Sequence, residues 1–279
     1  MLRAYAKINL GLLVLEKRPD DYHAIETVFH RIDVYDELRF ASSPDLGIST
    51  TSHEIPSDER NICYRAALLL RQHLRVSEGV EISLKKHIPV GAGLGGGSAD
   101  AATVLRELPK FWNRIVPEDD LHALASRLGS DVPYFLRPGS AVARGRGELL
   151  DYFHIDIPFT ILLCYPNIHL STAWAYHNVR PRRRISDLKT LLREGMKAPH
   201  TLTSSLVNDV EPEVFEAYPM VKQVKETMLG GGAQFALMSG SGSSVFGLFS
   251  NAHQATEVAG ALEKQGFRTF RTPPHFSPP

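Results

Sequence analysis

Cysteine is scarce, with two in 279 residues. Cys63 and Cys164 both sit among apolar neighbours and form neither a C-x-x-C pair nor zinc-type spacing, so a disulfide framework and a thiolate metal site are excluded and both are expected to be reduced. Excess charge is also lacking. Thirty-one basic residues balance thirty-one acidic ones, which leaves no global field to draw the chain toward nucleic acid or an anionic membrane. No apolar run approaches a membrane-spanning length, and Met1 to Asn9 shows no basic tip followed by a long apolar stretch, so the cytoplasm is the expected compartment. The twelve histidines never take an H-E-x-x-H spacing, and no protein-bound transition metal is expected. The length suits two domains, each with its own core.

What is present alternates between strand and helix signals. Leu2 to Leu15 places Tyr5, Lys7 and Asn9 on one face and Ala6, Ile8 and Leu10 on the other, which predicts a half-buried strand. Ala24 to Phe40 predicts further strands, Asn61 to Leu74 a helix, and Val80 to Leu84 a strand that runs through two lysines into a glycine-rich loop and an alanine-rich helix. Leu121 to Leu128 predicts a short helix that Gly129 ends in a left-handed conformation, with Asp131 in the loop beyond. The apolar run Phe159 to Tyr165 predicts a buried strand opening a second domain, which sets the expected domains at 1–155 and 156–279. A basic run follows at Arg180 to Arg184. It lacks interleaved aromatics and reads as a solvated face rather than a nucleic-acid site. The proline-rich end from Pro273 is expected to be poorly ordered.

The loop Pro89-Val90-Gly91-Ala92-Gly93-Leu94-Gly95-Gly96-Gly97-Ser98 carries the most chemistry. Glycines admit positive φ and let a ligand approach the backbone, while the following helix aims its free N–H groups and dipole at the loop, which makes an anion cradle. Ser98 either caps that helix or presents a hydroxyl to a phosphate or to Mg²⁺. No Gly-Lys-Ser/Thr follows at Walker spacing. Gly91, Gly93 and Gly96 satisfy G-x-G-x-x-G, but Glu118 and Asp119 follow Pro117 at a helix start instead of closing a second strand, which argues against a dinucleotide site.

The loop together with Ala4-Tyr5-Ala6-Lys7-Ile8-Asn9-Leu10, Asp21-Tyr22-His23, Leu128-Gly129-Ser130-Asp131-Val132-Pro133 and Ser239-Gly240-Ser241-Gly242 resembles the GHMP kinases, in their order and spacing. The match is with the branch that phosphorylates the 2-hydroxyl of the methylerythritol unit of a cytidine diphosphate ester. The resemblance implies an α+β fold of two domains, the N-terminal one like the second domain of ribosomal protein S5 and the C-terminal one ferredoxin-like. It implies ATP with Mg²⁺ as cofactor, a cytidine diphosphate ester as substrate, no nucleic-acid or membrane partner, and a monomer or weak homodimer. Two departures stand out: Asp21 where the family usually has glycine, and Asp100 where some members have asparagine.

Carried onto this chain, the resemblance makes Asp131 the base for the acceptor hydroxyl and Lys7 the cation that polarises it and steadies the γ-phosphate. Taken alone, Asp131 equally fits a turn cap before Pro133, and Lys7 an exposed strand lysine. Asn9 is matched to the acceptor hydroxyl or reads as a sheet-edge amide. The nucleotide side takes Asn61, Lys86, Pro89, Gly91, Gly93, Leu94, Gly95, Gly96, Gly97 and Ser98; Asn61 also fits a helix cap and Lys86 a solvated charge beside Lys85. Tyr22, His23, Phe29 and Tyr176 form a candidate aromatic wall for cytosine, with His23 reading the base edge. Phe29 also fits core packing and His23 a surface histidine. Ser239 and Gly240 are matched to the substrate side, or make a flexible turn.

Overall fold

The computed structural model describes residues 1–181 and 187–278. Arg182, Arg183 and Arg184 of the basic run lie outside the described residues. The chain falls into two compact units, one of Met1–Ala6, Tyr35–Val90 and Gly95–Pro138, the other of Lys7–Val34, Gly91–Leu94 and the chain from Gly139 onward. Strands β1 (Leu2–Lys17) and β2 (His23–Ser43) each contribute to both.

In the first unit, β4 (Gly79–Lys85) pairs antiparallel with the C-terminal part of β2, from Glu37 against Lys85 to Ser43 against Gly79, and parallel with β3 (Leu46–Thr50). Alternation at Val80, Ile82 and Leu84 buries one face of β4, as a period of two requires. Helices α1 (Ile62–Leu74), α2 (Gly96–Phe111) and α3 (Glu118–Leu128) pack on one another. In α1 the spacing of Cys63, Ala66, Ala67 and Leu70 makes a single apolar stripe, and all four are buried. Gly129 does end α3, but at φ 172, an extended conformation open to any residue, so the expected left-handed cap is not formed. The Val132 N–H donates to the Gly129 carbonyl at 3.2 Å and closes the turn instead.

In the second unit, β5 (Ser140–Arg144) pairs antiparallel with Thr27–Phe29 of β2 and with β6 (Leu149–Phe153). A separate antiparallel sheet has the order β10–β7–β9–β8, from β7 (Thr160–Tyr165), β8 (Phe235–Met238), β9 (Val245–Phe249) and β10 (Arg268–Thr272). The helices of this unit are α4 (Thr172–Asn178), α5 (Leu188–Lys197), α6 (Leu202–Ser205), α7 (Glu211–Ala217), α8 (Pro219–Gly230) and α9 (Ala252–Glu263). Leu162, Cys164, Val221, Val224, Met228, Phe249, Val258 and Leu262 share its core.

Three expectations change here. The first strand is buried on both faces from Ala4 to Val14, not half-buried, since its polar face is also covered. The segment read as several strands is one strand of 21 residues. The proline-rich end is tied down: the His275 N–H donates to the Ile157 carbonyl at 2.9 Å, and its Nδ1 lies 2.7 Å from an Asp156 carboxylate oxygen.

Candidate active site

Lys7 and Asn9 stand two residues apart on β1, so the pleat puts both side chains on one face. Neither is exposed as a strand-surface reading would have it; Lys7 is 4% and Asn9 3% accessible. A buried ammonium is costly unless it is hydrogen-bonded. Lys7 Nζ donates to Asn9 Oδ1 at 2.6 Å and lies 4.8 Å from the centre of the Phe29 ring. Asn9 Nδ2 donates to Thr27 Oγ1 at 2.8 Å. The Asn9 backbone N–H donates to Ser239 Oγ at 3.2 Å, and that hydroxyl donates to the Gly93 carbonyl at 3.0 Å. One serine therefore joins the lysine strand to the glycine loop, and the Lys7 N–H adds a bond to the Leu94 carbonyl at 3.0 Å.

The Ser239–Gly242 segment is not a flexible turn. Ser239, Gly240, Ser241 and Gly242 are all buried. Asn208 Nδ2 donates to the Met238 and Gly240 carbonyls, each at 2.8 Å, and the Ser244 N–H reaches the Ala92 carbonyl at 3.3 Å. Gly93 has φ +76, and a Cβ there would stand 2.1 Å from the Ser239 carbonyl oxygen. The demand for glycine at 93 thus comes from the protein itself. At Gly97, in the exposed first turn of α2, a Cβ would meet only Ile62 Cγ2 at 3.7 Å, an ordinary contact.

Tyr22, His23 and Tyr176 belong to the same unit. Asp21 takes φ +63, so aspartate fills a left-handed turn position here. The His23 ring stacks on Tyr176 with centroids 6.0 Å apart and planes 23° from parallel. Burial, and then the charge of Lys17, lower the pKa of His23, which keeps the imidazole neutral at pH 7 with one donor and one acceptor nitrogen. Tyr22 is 57% exposed, and the Arg146 guanidinium lies 4.9 Å from its ring centre. Phe29, 1% exposed, packs in the core and also lies beneath the Lys7 ammonium.

Gly91 and Leu94 lie in the second unit, and the first holds Asn61, Lys86, Pro89, Gly95, Gly96, Gly97, Ser98 and Asp131. Lys86 is not a solvated charge: its Nζ bonds the Asp36 carboxylate and donates to Asp100 Oδ2 at 2.8 Å, with all three side chains buried. Asp36 also accepts the His87 and Ile88 N–H groups at 2.5 and 2.9 Å. The strand β2, the segment before the glycine loop and the helix after it are thereby bound at one point. Burial opposes the Lys86 charge, but Asp100 and Asp36 outweigh it and hold its pKa above the ordinary lysine value. Burial pushes the Asp100 carboxyl upward against the pull of Lys86. Asn61 caps α1, accepting from the Cys63 N–H at 2.9 Å and donating to the Pro56 carbonyl at 2.7 Å. The cap of α2 is Gly95, so Ser98 is not its cap and lies in the first turn. Asp131 is half-buried, between α3 and the 3-10 turn Pro133–Leu136.

Thr27, Asp36 and Asn208 were not singled out from the sequence. Thr27 is a β-branched residue within a strand, Asp36 is one acid among several in β2, and Asn208 accepts the Val210 N–H at 3.0 Å in a local turn. The bonds that tie them into the site reach partners distant in sequence.

Residues 61–139 match the family described as GHMP kinases N terminal domain, and residues 186–268 the one described as GHMP kinases C terminal. The chain is 48% identical over 280 aligned residues to 4-diphosphocytidyl-2-C-methyl-D-erythritol kinase of Prosthecochloris aestuarii, covering 99% of this chain and 98% of that one. It is 46% identical, at the same coverage, to the like-named protein of Chlorobium phaeobacteroides. Among solved structures, a 4-(cytidine 5'-diphospho)-2C-methyl-D-erythritol kinase superposes with TM-score 0.84 at 35% identity, covering 97% of each chain.

Proposed function

The chain belongs to the GHMP kinase family, in its 4-diphosphocytidyl-2-C-methyl-D-erythritol kinase branch, and we propose that it transfers the γ-phosphoryl group of ATP to the 2-hydroxyl of 4-diphosphocytidyl-2-C-methyl-D-erythritol. The products are the 2-phosphate and ADP, within the methylerythritol phosphate route to isoprenoids. The full-length likeness to the curated kinases carries this reading. The buried, hydrogen-bonded ammonium of Lys7 supports it from this chain's own residues.

Phosphoryl transfer asks a protein mainly to position the nucleophile and to neutralise charge on the moving group. Lys7 supplies a cation whose direction is fixed before substrate arrives, so no reorganisation is needed as charge develops. Asp131 serves as the base that takes the proton of the 2-hydroxyl, help worth about 10²–10⁴-fold in rate. The segment from Pro89 to Ser98, with the N-terminus of α2, takes the nucleotide phosphates, and Lys86 holds that segment through Asp36 and Asp100. Asn61 stands on the adenine side. His23 reads the cytosine edge, with Tyr22, Tyr176 and Phe29 as aromatic neighbours, and Asn9, Ser239 and Gly240 serve the acceptor side.

Among the described residues no group of three or more His, Cys, Asp or Glu side chains is arranged to hold a metal ion. Mg²⁺ is assigned in this reading to the ATP phosphates, since the ion commonly binds through nucleotide phosphates and retained water. We assign residues 1–155 to the nucleotide-binding half and 156–279 to the C-terminal half. The same reading makes the protein a cytoplasmic monomer or weak homodimer without nucleic-acid or membrane partners. No helix among the described residues is long and apolar enough to cross a membrane. The test is mass spectrometry of the cytidine ester after incubation with protein and MgATP. One added phosphate, located on the 2-hydroxyl by phosphorus NMR, is expected; an unmodified ester rejects the reading.

A further inference from the structure

We propose that Thr27 is a positioning residue whose hydroxyl sets the orientation of the Asn9 amide and, through it, the direction of the Lys7 ammonium. This rests on the kinase reading only for its catalytic consequence; the hydrogen bonds stand apart from it.

The two ends of an asparagine amide have nearly the same shape, so packing cannot decide which end faces Lys7. Hydrogen bonding can. Thr27 is fully buried, with 0% exposure, on β2 opposite Ala143. Its single hydroxyl proton goes to the Gly11 carbonyl at 2.5 Å. Toward Asn9 the oxygen therefore acts only as an acceptor. The group 2.8 Å away must be the Asn9 NH₂, which leaves Oδ1 for the Lys7 ammonium at 2.6 Å. The order Lys7 to Asn9 and Asn9 to Thr27 to Gly11 runs donor to acceptor without a break. A flipped amide would set NH₂ against NH₃⁺ at one end and two competing acceptors at the other.

Without the Thr27 hydroxyl, the amide loses one of the two partners that hold its orientation and is left with the Lys7 ammonium alone to select it. Lys7 then keeps its charge, but the Asn9 oxygen that it donates to is less firmly held. Transition-state stabilisation falls while ATP binding by the glycine loop persists, so the loss appears in kcat rather than in KM for ATP.

The test compares Thr27→Val, which keeps the branched shape, with Thr27→Ser, which keeps the hydroxyl, in the full-length protein. The Val variant is expected to lose about 10- to 100-fold in kcat, the size of one hydrogen bond to a charged network, with KM for ATP within about 3-fold. The Ser variant is expected to recover most of that loss. Slow hydrogen exchange of the Asn9 side-chain amide, assigned by NMR against Asn9→Asp, should be lost in the Val variant and retained in the Ser variant. Unchanged kcat in the Val variant overturns the proposal, and so does equal loss in both variants, which marks a packing role. If the Val variant does not fold, Ser decides alone: parent-like turnover and amide protection support the hydroxyl, and their loss refutes it. A parent protein that does not phosphorylate the ester removes the catalytic consequence by a separate route, recognisable because the parent itself is inactive.

Discussion

Gly93 lies against Ser239 so closely that a side chain at 93 would collide with the Ser239 carbonyl oxygen, 2.1 Å from the place of its Cβ. Gly97, four residues on, has room for a methyl group. Two glycines of one loop are thus kept for different reasons. Gly93→Ala should destabilise the fold by at least about 2 kcal/mol, from left-handed strain plus the collision. Gly97→Ala should instead stabilise α2 by about 0.5–1 kcal/mol while weakening ATP binding. Urea denaturation and ATP titration of both variants check this, and unaltered ATP affinity in Gly97→Ala would show that no phosphate approaches that position.

The buried trio of Asp36, Lys86 and Asp100 predicts a pH dependence. Burial raises the folded-state pKa of Asp100 from 3.8 to about 8, so the folded protein binds this proton more tightly than the unfolded chain. The associated stability is complete below about pH 4 and is lost as pH rises toward 8. Asp100→Asn should flatten that slope, as measured by urea unfolding at several pH values. An unchanged slope would place its origin elsewhere. Lys86→Met leaves the buried Asp36 carboxylate without its cation and should cost about 3–5 kcal/mol at pH 7.

Asp131→Asn should hold ATP affinity within a few-fold and lose most turnover, about 10²-fold or more. The loop binds nucleotide, and the carboxylate takes the proton. Single-turnover kinetics beside ATP titration separates the two, and near-normal turnover would remove Asp131 from the chemistry.

His23→Ala should weaken the cytidine ester by about 1–3 kcal/mol, the scale of one base contact, and leave ATP binding nearly unchanged. Calorimetric titration with each ligand checks this. Equal weakening of both would indicate a folding defect.

Much of the fold was legible because its signals are local. The stripe of α1, the run Thr160–Tyr165 and the strand, loop and helix around Gly91–Ser98 all announce themselves within a few residues. Burial of Lys7, Asn9 and Lys86 was not legible, because it depends on Thr27, Ser239, Asp36 and Asp100, which lie 14 to 230 positions away in the chain. Gly129 shows the converse error: glycine after a helix suggests a left-handed cap, but the bond from Val132 selects an extended residue.

Acceptor selectivity tests the central claim most directly: ADP release from MgATP by the purified protein with 4-diphosphocytidyl-2-C-methyl-D-erythritol, homoserine, mevalonate, galactose or no acceptor. Turnover with the cytidine ester alone is predicted. Turnover with another acceptor, or none above the acceptor-free rate, would contradict it.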